Sequence, residues 1–352
     1  MLGSHKIAVD TWAEVWDLLK PYADEEFWQW PTQLDPDMVY IVGRVLLKQH
    51  WTEITDWATQ HPGRIVFSNP AEGSETVLLQ LRRLRIYDHV RDGRIGLLTS
   101  GDLEPGWRYC KTDCYFSNIV EYIENKAAQI ETALDYRVRK YLIDHMRVQG
   151  LLTHALWTNL GSQVEMAFTS VLDTGKTEPI RLLPPDYEID RAVSQLNTVP
   201  ESGFVKHELF GNTWGDAIVN SRCYTDTWFS VVTETIFDYP HTFRTEKIWK
   251  PILMAHPFVV AANPGYLQDL RNAGFQTFHT LIDESYDQID SPSARIERII
   301  DTIRSISING AAHFWEASRD ICKYNQQHLV EYNRQQRAAL PTVLEQYLNE
   351  RP

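Results

Sequence analysis

The first hundred residues alternate short apolar runs with amphipathic segments, and that alternation leaves few architectures open to the chain. "DMVYIVGRVLL" (37–47) contains an apolar run of strand length. "QHWTEITDWATQHPG" (49–63) places Trp51, Ile54 and Trp57 on one helix face and stops at Pro62-Gly63. "RIVFSNP" (64–70) is a compact β run ending in turn chemistry. "SETVLLQLRRLRIYDHVRDG" (74–93) predicts a helix with Ser74 as a possible N-cap, and "RIGLLTSGD" (94–102) a strand opening into a polar loop. Strand, helix and strand repeating at this spacing predict parallel α/β structure.

A chain of 352 residues has room for about two domains. From 117 to 150 the pattern is mostly helical, and 173–226 is irregular, interrupted by "LLPPDY", "ESG" and "NTWGD". Order then returns. "TWFSVVTETIF" (227–237) reads as a strand, "TEKIWKPILMA" (245–255) as a helix start and "HPFVVAA" (256–262) as a strand. "PGYLQDLRNAGF" (264–275) is a short helix between glycines. "SPSARIERIIDTIRSI" (291–306) is an amphipathic helix with Ile296, Ile299, Ile300 and Ile303 on one side. The expected division is an α/β domain over 1–126, a second over 127–310, and a helical segment over 311–352 that packs back.

The net charge of −13 argues against bulk attraction to nucleic acid or an anionic membrane surface. No run reaches about 18 apolar residues, and "MLGSHKIAVDTWAEVW" lacks a basic segment followed by an apolar one, so a soluble cytoplasmic protein is expected. The four cysteines, Cys110, Cys114, Cys223 and Cys322, are scattered. No His or Cys pair follows "CKTDC" at zinc-like spacing, so free thiols and no metal site are expected.

The most informative stretch is "TETIFDYPHTFRTEKIWKPILMAHPFVVAA" (233–262). In an open parallel sheet, ligands sit outside the carboxyl ends of the strands. Helix N-termini there present unpaired N–H groups and partial positive charge, which suits a phosphate. Thr245 either caps the helix or lies one residue inside it. Lys247, on the first turn, would point at a bound phosphate, and Glu246 could accept hydrogen bonds from a ribose diol. Glu234, at the end of the preceding strand, would lie across the same crevice. The alternative is that Glu246 and Lys247 are ordinary first-turn residues on a solvated helix. Lys250, one turn on, reads as a surface or packing residue, and the acidic "DESYD" (283–287) as a structural segment rather than a metal site.

The segment 227–303, with "TET", "TEKIWKP" and "IDESYDQI", resembles a family of glycosyltransferases found in phages, large viruses and marine bacteria. Its core is also similar to the donor-site motif of the fucosyltransferases, which pair an acidic strand end with a later "TEK". The likeness is weaker over 128–160 and poor over the first hundred residues. It implies a GT-B architecture, two Rossmann-like domains facing across a cleft, with no metal ligand motif and a nucleotide sugar as co-substrate. It further implies that Glu246 holds the ribose, Lys247 the diphosphate, and Glu234 supports the pocket. "LDYRVRKY" looks like the family's Asn-x-Arg segment, with Asp135 where Asn is common; Arg137 and Arg139 are then candidate phosphate ligands. The alternative for both arginines is the wet side of a strand or helix.

Transfer to a hydroxyl with inversion needs a base on the far side of the anomeric carbon. Loops at strand ends offer Glu72 first, Asp102 second and Asp10 third, each of which could instead cap a turn. Trp28 and Trp30 could form a stacking wall for an acceptor, whereas Trp12 and Trp16, four apart, read as one core face of a helix. "LRRLRIYDHVRDGR" (81–94) is the most basic window. Arg82, Arg83 and Arg85 are there either a solvated face or contacts to a DNA backbone. The acceptor is expected to be a glycan or, as for related phage enzymes, a hydroxymethylated pyrimidine in DNA, extruded from the duplex. Two rival classes stand beside the enzyme: a non-catalytic nucleotide or sugar binder, and a DNA-docking module with a degenerate donor site.

Overall fold

The computed structural model describes residues 2–114, 151, 224 and 227–350. It is an α/β structure whose contacts divide the chain into two units. Among the described residues, one unit takes 2–114 with 332–350 and the other takes 151, 224 and 227–331.

In the first unit the elements are β1 (Lys6–Asp10), α1 (Trp16–Leu19), a 3-10 turn (Lys20–Tyr22), β2 (Glu25–Phe27), β3 (Met38–Val42), α2 (Arg44–Gln49), α3 (Trp51–Gln60), β4 (Ile65–Asn69), α4 (Ser74–Arg83), α5 (Tyr87–Arg91), β5 (Ile95–Thr99) and β6 (Cys110–Lys111). The strands form one six-stranded sheet in the order β2-β1-β3-β4-β5-β6, and every pairing is parallel. From β1 the chain goes outward to β2, then crosses back to build the rest of the sheet. The reversal falls between β1 and β3, where Val9 pairs with Ile41.

Both faces of this sheet are covered, which is why its strands read as unbroken apolar runs instead of alternating ones. Ile7, Val9, Val39, Ile41, Val66 and Leu98 pack with Val15 and Leu19 and with Leu340, Leu344, Tyr347 and Leu348. On the other face Ala8, Tyr40, Val42, Ile65, Phe67 and Leu97 meet Leu46, Leu47, Ile54, Val77, Leu78 and Leu81 from the helices.

The segment 74–93, read from sequence as one helix, is two. Arg85 adopts a left-handed backbone (φ 61), Ile86 N–H donates to the Leu81 carbonyl at 2.9 Å, and Arg85 N–H donates to that of Arg82 at 3.0 Å. This is a Schellman ending with arginine where glycine is usual. Its physical reason is Ile86, which lies off the Val77–Leu81 face and reaches the core only after the chain turns.

The second unit carries β7 (Ser230–Thr233), α6 (Glu246–Leu253), β8 (Phe258–Ala261), α7 (Tyr266–Asn272), a 3-10 turn (Ser285–Gln288) and α8 (Pro292–Asn309). β7 and β8 pair in parallel, from Ser230 with Phe258 to Thr233 with Ala261. Ile296, Ile299, Ile300 and Ile303 of α8 are all buried, as their spacing predicts. Arg295, also buried, donates to the carbonyls of Ile289, Asp290 and Phe237. A long helix, α9 (Ala311–Asn349), follows Gly310 and contributes residues to both units. No described helix is long and apolar enough to cross a membrane.

Candidate functional site

The end of β7 delivers Glu234 to the start of α6, and the two are locked together. Thr245 is extended (φ −115°, ψ −178°) and is the N-cap: its hydroxyl accepts from the Lys247 N–H at 3.3 Å. The same hydroxyl donates to Glu234 Oε2 at 2.6 Å. Glu234 Oε1 accepts from the Thr245 N–H at 3.1 Å and from the Tyr266 hydroxyl at 2.7 Å. One carboxylate therefore ties the strand end to the first residues of both following helices. The Glu234 N–H in turn reaches the Ala261 carbonyl of β8 at 3.0 Å.

Lys247 lies inside this network. Its ammonium donates to Glu246 Oε1 at 2.7 Å, to the Thr245 hydroxyl at 3.1 Å and to the Thr235 hydroxyl at 3.2 Å. The side chains of Lys247 and Glu246 are only 10% and 15% exposed, so neither belongs to a solvated face. Lys250, read from sequence as a surface or packing residue, is buried and acts electrostatically on Glu246. Two lysines and two glutamates thus neutralise one another in a small volume, which buried charge requires.

Environment separates the two carboxyls. Burial pushes Glu234 above the ordinary carboxylate range despite Lys247 and its hydrogen bonds. Burial acts on Glu246 in the same sense, but the ammoniums of Lys247 and Lys250 overcome it and hold that carboxyl below its usual value. A fixed cation beside a capped helix start can hold an oxyanion, provided the anion competes with Glu246 for Lys247.

Neighbouring charges serve the scaffold. Arg244 pairs with Asp269 at 3.1 Å. In "DESYD", Asp287 accepts from the N–H groups of Leu267 and Gln268 at 2.8 and 3.1 Å, Glu284 pairs with Arg271 at 3.4 Å, and Asp283 with Arg298 at 3.1 Å. A cavity of about 560 Å3 in this unit is lined by residues from 279 to 317, including His279, Asp301 and His313, and by none of the four motif residues.

The expected acceptor-side residues all lie in the first unit. Glu72 and Asp102 follow β4 and β5 at the carboxyl edge. Glu72 Oε1 accepts from Gln80 Nε2 at 3.4 Å, while Asp102 pairs with Lys111 at 2.8 Å. Trp28 is exposed, but Trp30 packs edge-on against Phe27. Arg82 and Arg85 stack over Tyr87 and Trp51, beside the exposed Arg83. They come at and after the end of α4, two to five residues beyond the Gln80 that bonds to Glu72. Arg137 and Arg139 lie outside the described residues.

Two groups escaped sequence reasoning. Tyr266 completes the Glu234 network, although nothing in "NPGYL" marks it as more than an apolar helix residue. Glu14 lies in the loop after β1, where burial pushes its carboxyl up to about 7, with opposing help from Arg44 and reinforcement from Asp10 and Glu72. The signal for Glu14 was its position just past the end of a β run.

Comparison of the chain with protein-family models, with curated proteins and with solved structures gives no match.

Proposed function

We propose that the protein is a nucleotide-sugar-dependent glycosyltransferase of GT-B type, moving a sugar from a nucleoside diphosphate to a hydroxyl acceptor. The observation that carries this reading is the enclosed Lys247, held beside the capped start of α6 by Glu246 and two threonine hydroxyls. In this reading the diphosphate takes over the Lys247 ammonium, Glu246 is released toward the ribose diol, and Glu234 keeps Thr245 and Tyr266 in place throughout. Positive charge fixed in advance favours the transition state, because negative charge on the leaving diphosphate grows as the glycosidic bond breaks. The protein would work in a cytoplasm, that of a host cell if phage-encoded, with a metal-independent donor site. The buried free thiols Cys110, Cys114 and Cys322 suit a reducing compartment.

The test is thermal melting with UDP, GDP and CDP, followed by hydrolysis of the corresponding nucleotide sugars. One diphosphate is expected to stabilise the protein by about 2.7 kcal/mol at a hundredfold excess over its dissociation constant. Lys247→Met, which keeps the length of the stem, is expected to abolish the shift. A diphosphate that binds Lys247→Met as tightly as the original, or no stabilisation by any of the three, refutes the proposal. Stabilisation with no hydrolysis or transfer of any sugar favours a non-catalytic nucleotide binder. That rival draws on the same saturated network, which would serve binding alone equally well.

A further inference from the structure

The carboxyl edge of the six-stranded sheet has polar groups that the first unit does not use. At the reversal between β1 and β3, Asp10 is fully occupied: its carboxylate accepts from the N–H groups of Trp12 and Gly43, both at 2.9 Å. The loop after β1 passes directly over the end of β3. A Cβ on Gly43 would come within 2.9 Å of Ala13 Cα and 3.0 Å of the Trp12 carbonyl oxygen. This crossing fixes Trp12 and Glu14 above the reversal, which in open parallel sheets is where ligands settle.

Three observations then converge. Asn69, at the end of β4, is completely buried, and neither its amide oxygen nor its nitrogen has a hydrogen-bond partner among the described residues. It alternates with Ile65 and Phe67, so its side chain is on the same sheet face as theirs. Asn69 ends β4 and Arg44 opens α2 just past the end of β3, so the two leave adjacent, paired strands at the same edge. Glu14 Oε2 is likewise buried without a partner, close enough to Arg44 to feel its charge. Finally, Trp12 and Trp28 are 62% and 66% exposed. Both follow the Asp10–Phe27 pair, across which the Thr11 N–H bonds to the Phe27 carbonyl, so the two indoles lie on adjacent loops at this edge. Unsatisfied buried polar groups in a native protein call for an explanation, and exposed tryptophans along the same sheet edge supply the apolar half of one.

We propose that this edge is a saccharide-binding site, in which Trp12 and Trp28 stack on the C–H faces of sugar rings while Glu14, Asn69 and Arg44 take hydroxyls farther along the same glycan, across the strand order β2-β1-β3-β4. A sugar ring has that combination of an apolar face and a rim of hydroxyls that both donate and accept. The mixed amide and carboxyl set offers hydroxyls both donors and acceptors, and the Glu72 charge that acts on Glu14 here would repel a phosphate. A DNA backbone is disfavoured here for the same reason. As an assignment of the acceptor class this rests on the glycosyl-transfer reading; as a binding site it does not.

The experiment is binding of the full chain, without nucleotide, to a printed array of mono- to hexasaccharides, together with immobilised duplex DNA carrying hydroxymethylcytosine. Retention of at least one glycan is expected. Trp12→Ala and Trp28→Ala should each weaken it about tenfold. Both variants should keep the original melting temperature, since both indoles are exposed, and Trp228→Ala, at an exposed indole of the other unit, should bind as before. An array with no glycan retained, retention of the DNA instead, or glycan binding indifferent to Trp12 and Trp28 overturns the proposal. Glycan binding without any diphosphate-induced stabilisation leaves this site standing and removes the transfer reading; the converse removes this site alone.

Discussion

The β7–α6 junction and the carboxyl edge of the six-stranded sheet are built from similar residues, yet they treat polar atoms in opposite ways. At the junction, both oxygens of Glu234 and all three protons of the Lys247 ammonium have partners. At the sheet edge, the Asn69 amide and one oxygen of Glu14 have none among the described residues. A saturated network holds its shape with or without a ligand and must give up an internal bond to bind one. An unsaturated edge gains bonds on binding. The junction is thus suited to gripping a ligand as charge develops, and the edge to recognising one that stays neutral.

The comparison can be broken most forcefully at Glu234. Glu234→Ala leaves the Thr245 N–H, the Thr245 hydroxyl and the buried Tyr266 hydroxyl without their acceptor and removes a carboxyl that faces Lys247, and is expected to cost about 3–5 kcal/mol in urea unfolding. A loss below about 1 kcal/mol would mean that the network is not a structural unit. The second test is pH-dependent. The Glu14 carboxyl is raised from 4.5 to about 7 in the folded protein, so the folded state holds a proton that the unfolded state releases earlier. Its contribution is intact below about pH 4.5 and is lost as pH rises through about 7, amounting to at most about 3 kcal/mol. Glu14→Gln should flatten that part of the stability profile, read from urea midpoints between pH 4.5 and 8; an unchanged slope would place Glu14 in solvent. The smallest effect is expected at the cap. Thr245→Ala should cost about 1–2 kcal/mol, the usual range for an N-cap threonine.

The sequence was most legible where one periodicity held over several residues. β3, β4 and β5 were evident as apolar runs because the sheet is covered on both sides, and α8 because its isoleucines keep helical spacing. Thr245 was narrowed to cap or first turn, and its extended backbone decides for the cap. Reading failed where a tertiary contact overrode local pattern. Trp12 and Trp16 have helical spacing, but α1 begins only at Trp16, because the Asp10 carboxylate draws the loop back over Gly43 and leaves Trp12 exposed. Lys250 reads in the sequence as a surface or packing residue, and the structure decides for burial, with Glu246 on the preceding turn feeling its charge. Glu14 carried only the weak signal of following a β run, because a carboxyl in a loop acquires an unusual proton affinity only when that loop is folded over a strand end.

The division of α9 between the two units carries a consequence for synthesis. Leu340, Leu344, Tyr347 and Leu348 cover one face of the six-stranded sheet, and the Tyr347 hydroxyl accepts from the Leu97 N–H at 3.3 Å. That half of the sheet therefore waits, uncovered, while more than two hundred further residues leave the ribosome. Strands made early are covered late, and a nascent chain halted near residue 330 would present the sheet to chaperones rather than a completed fold.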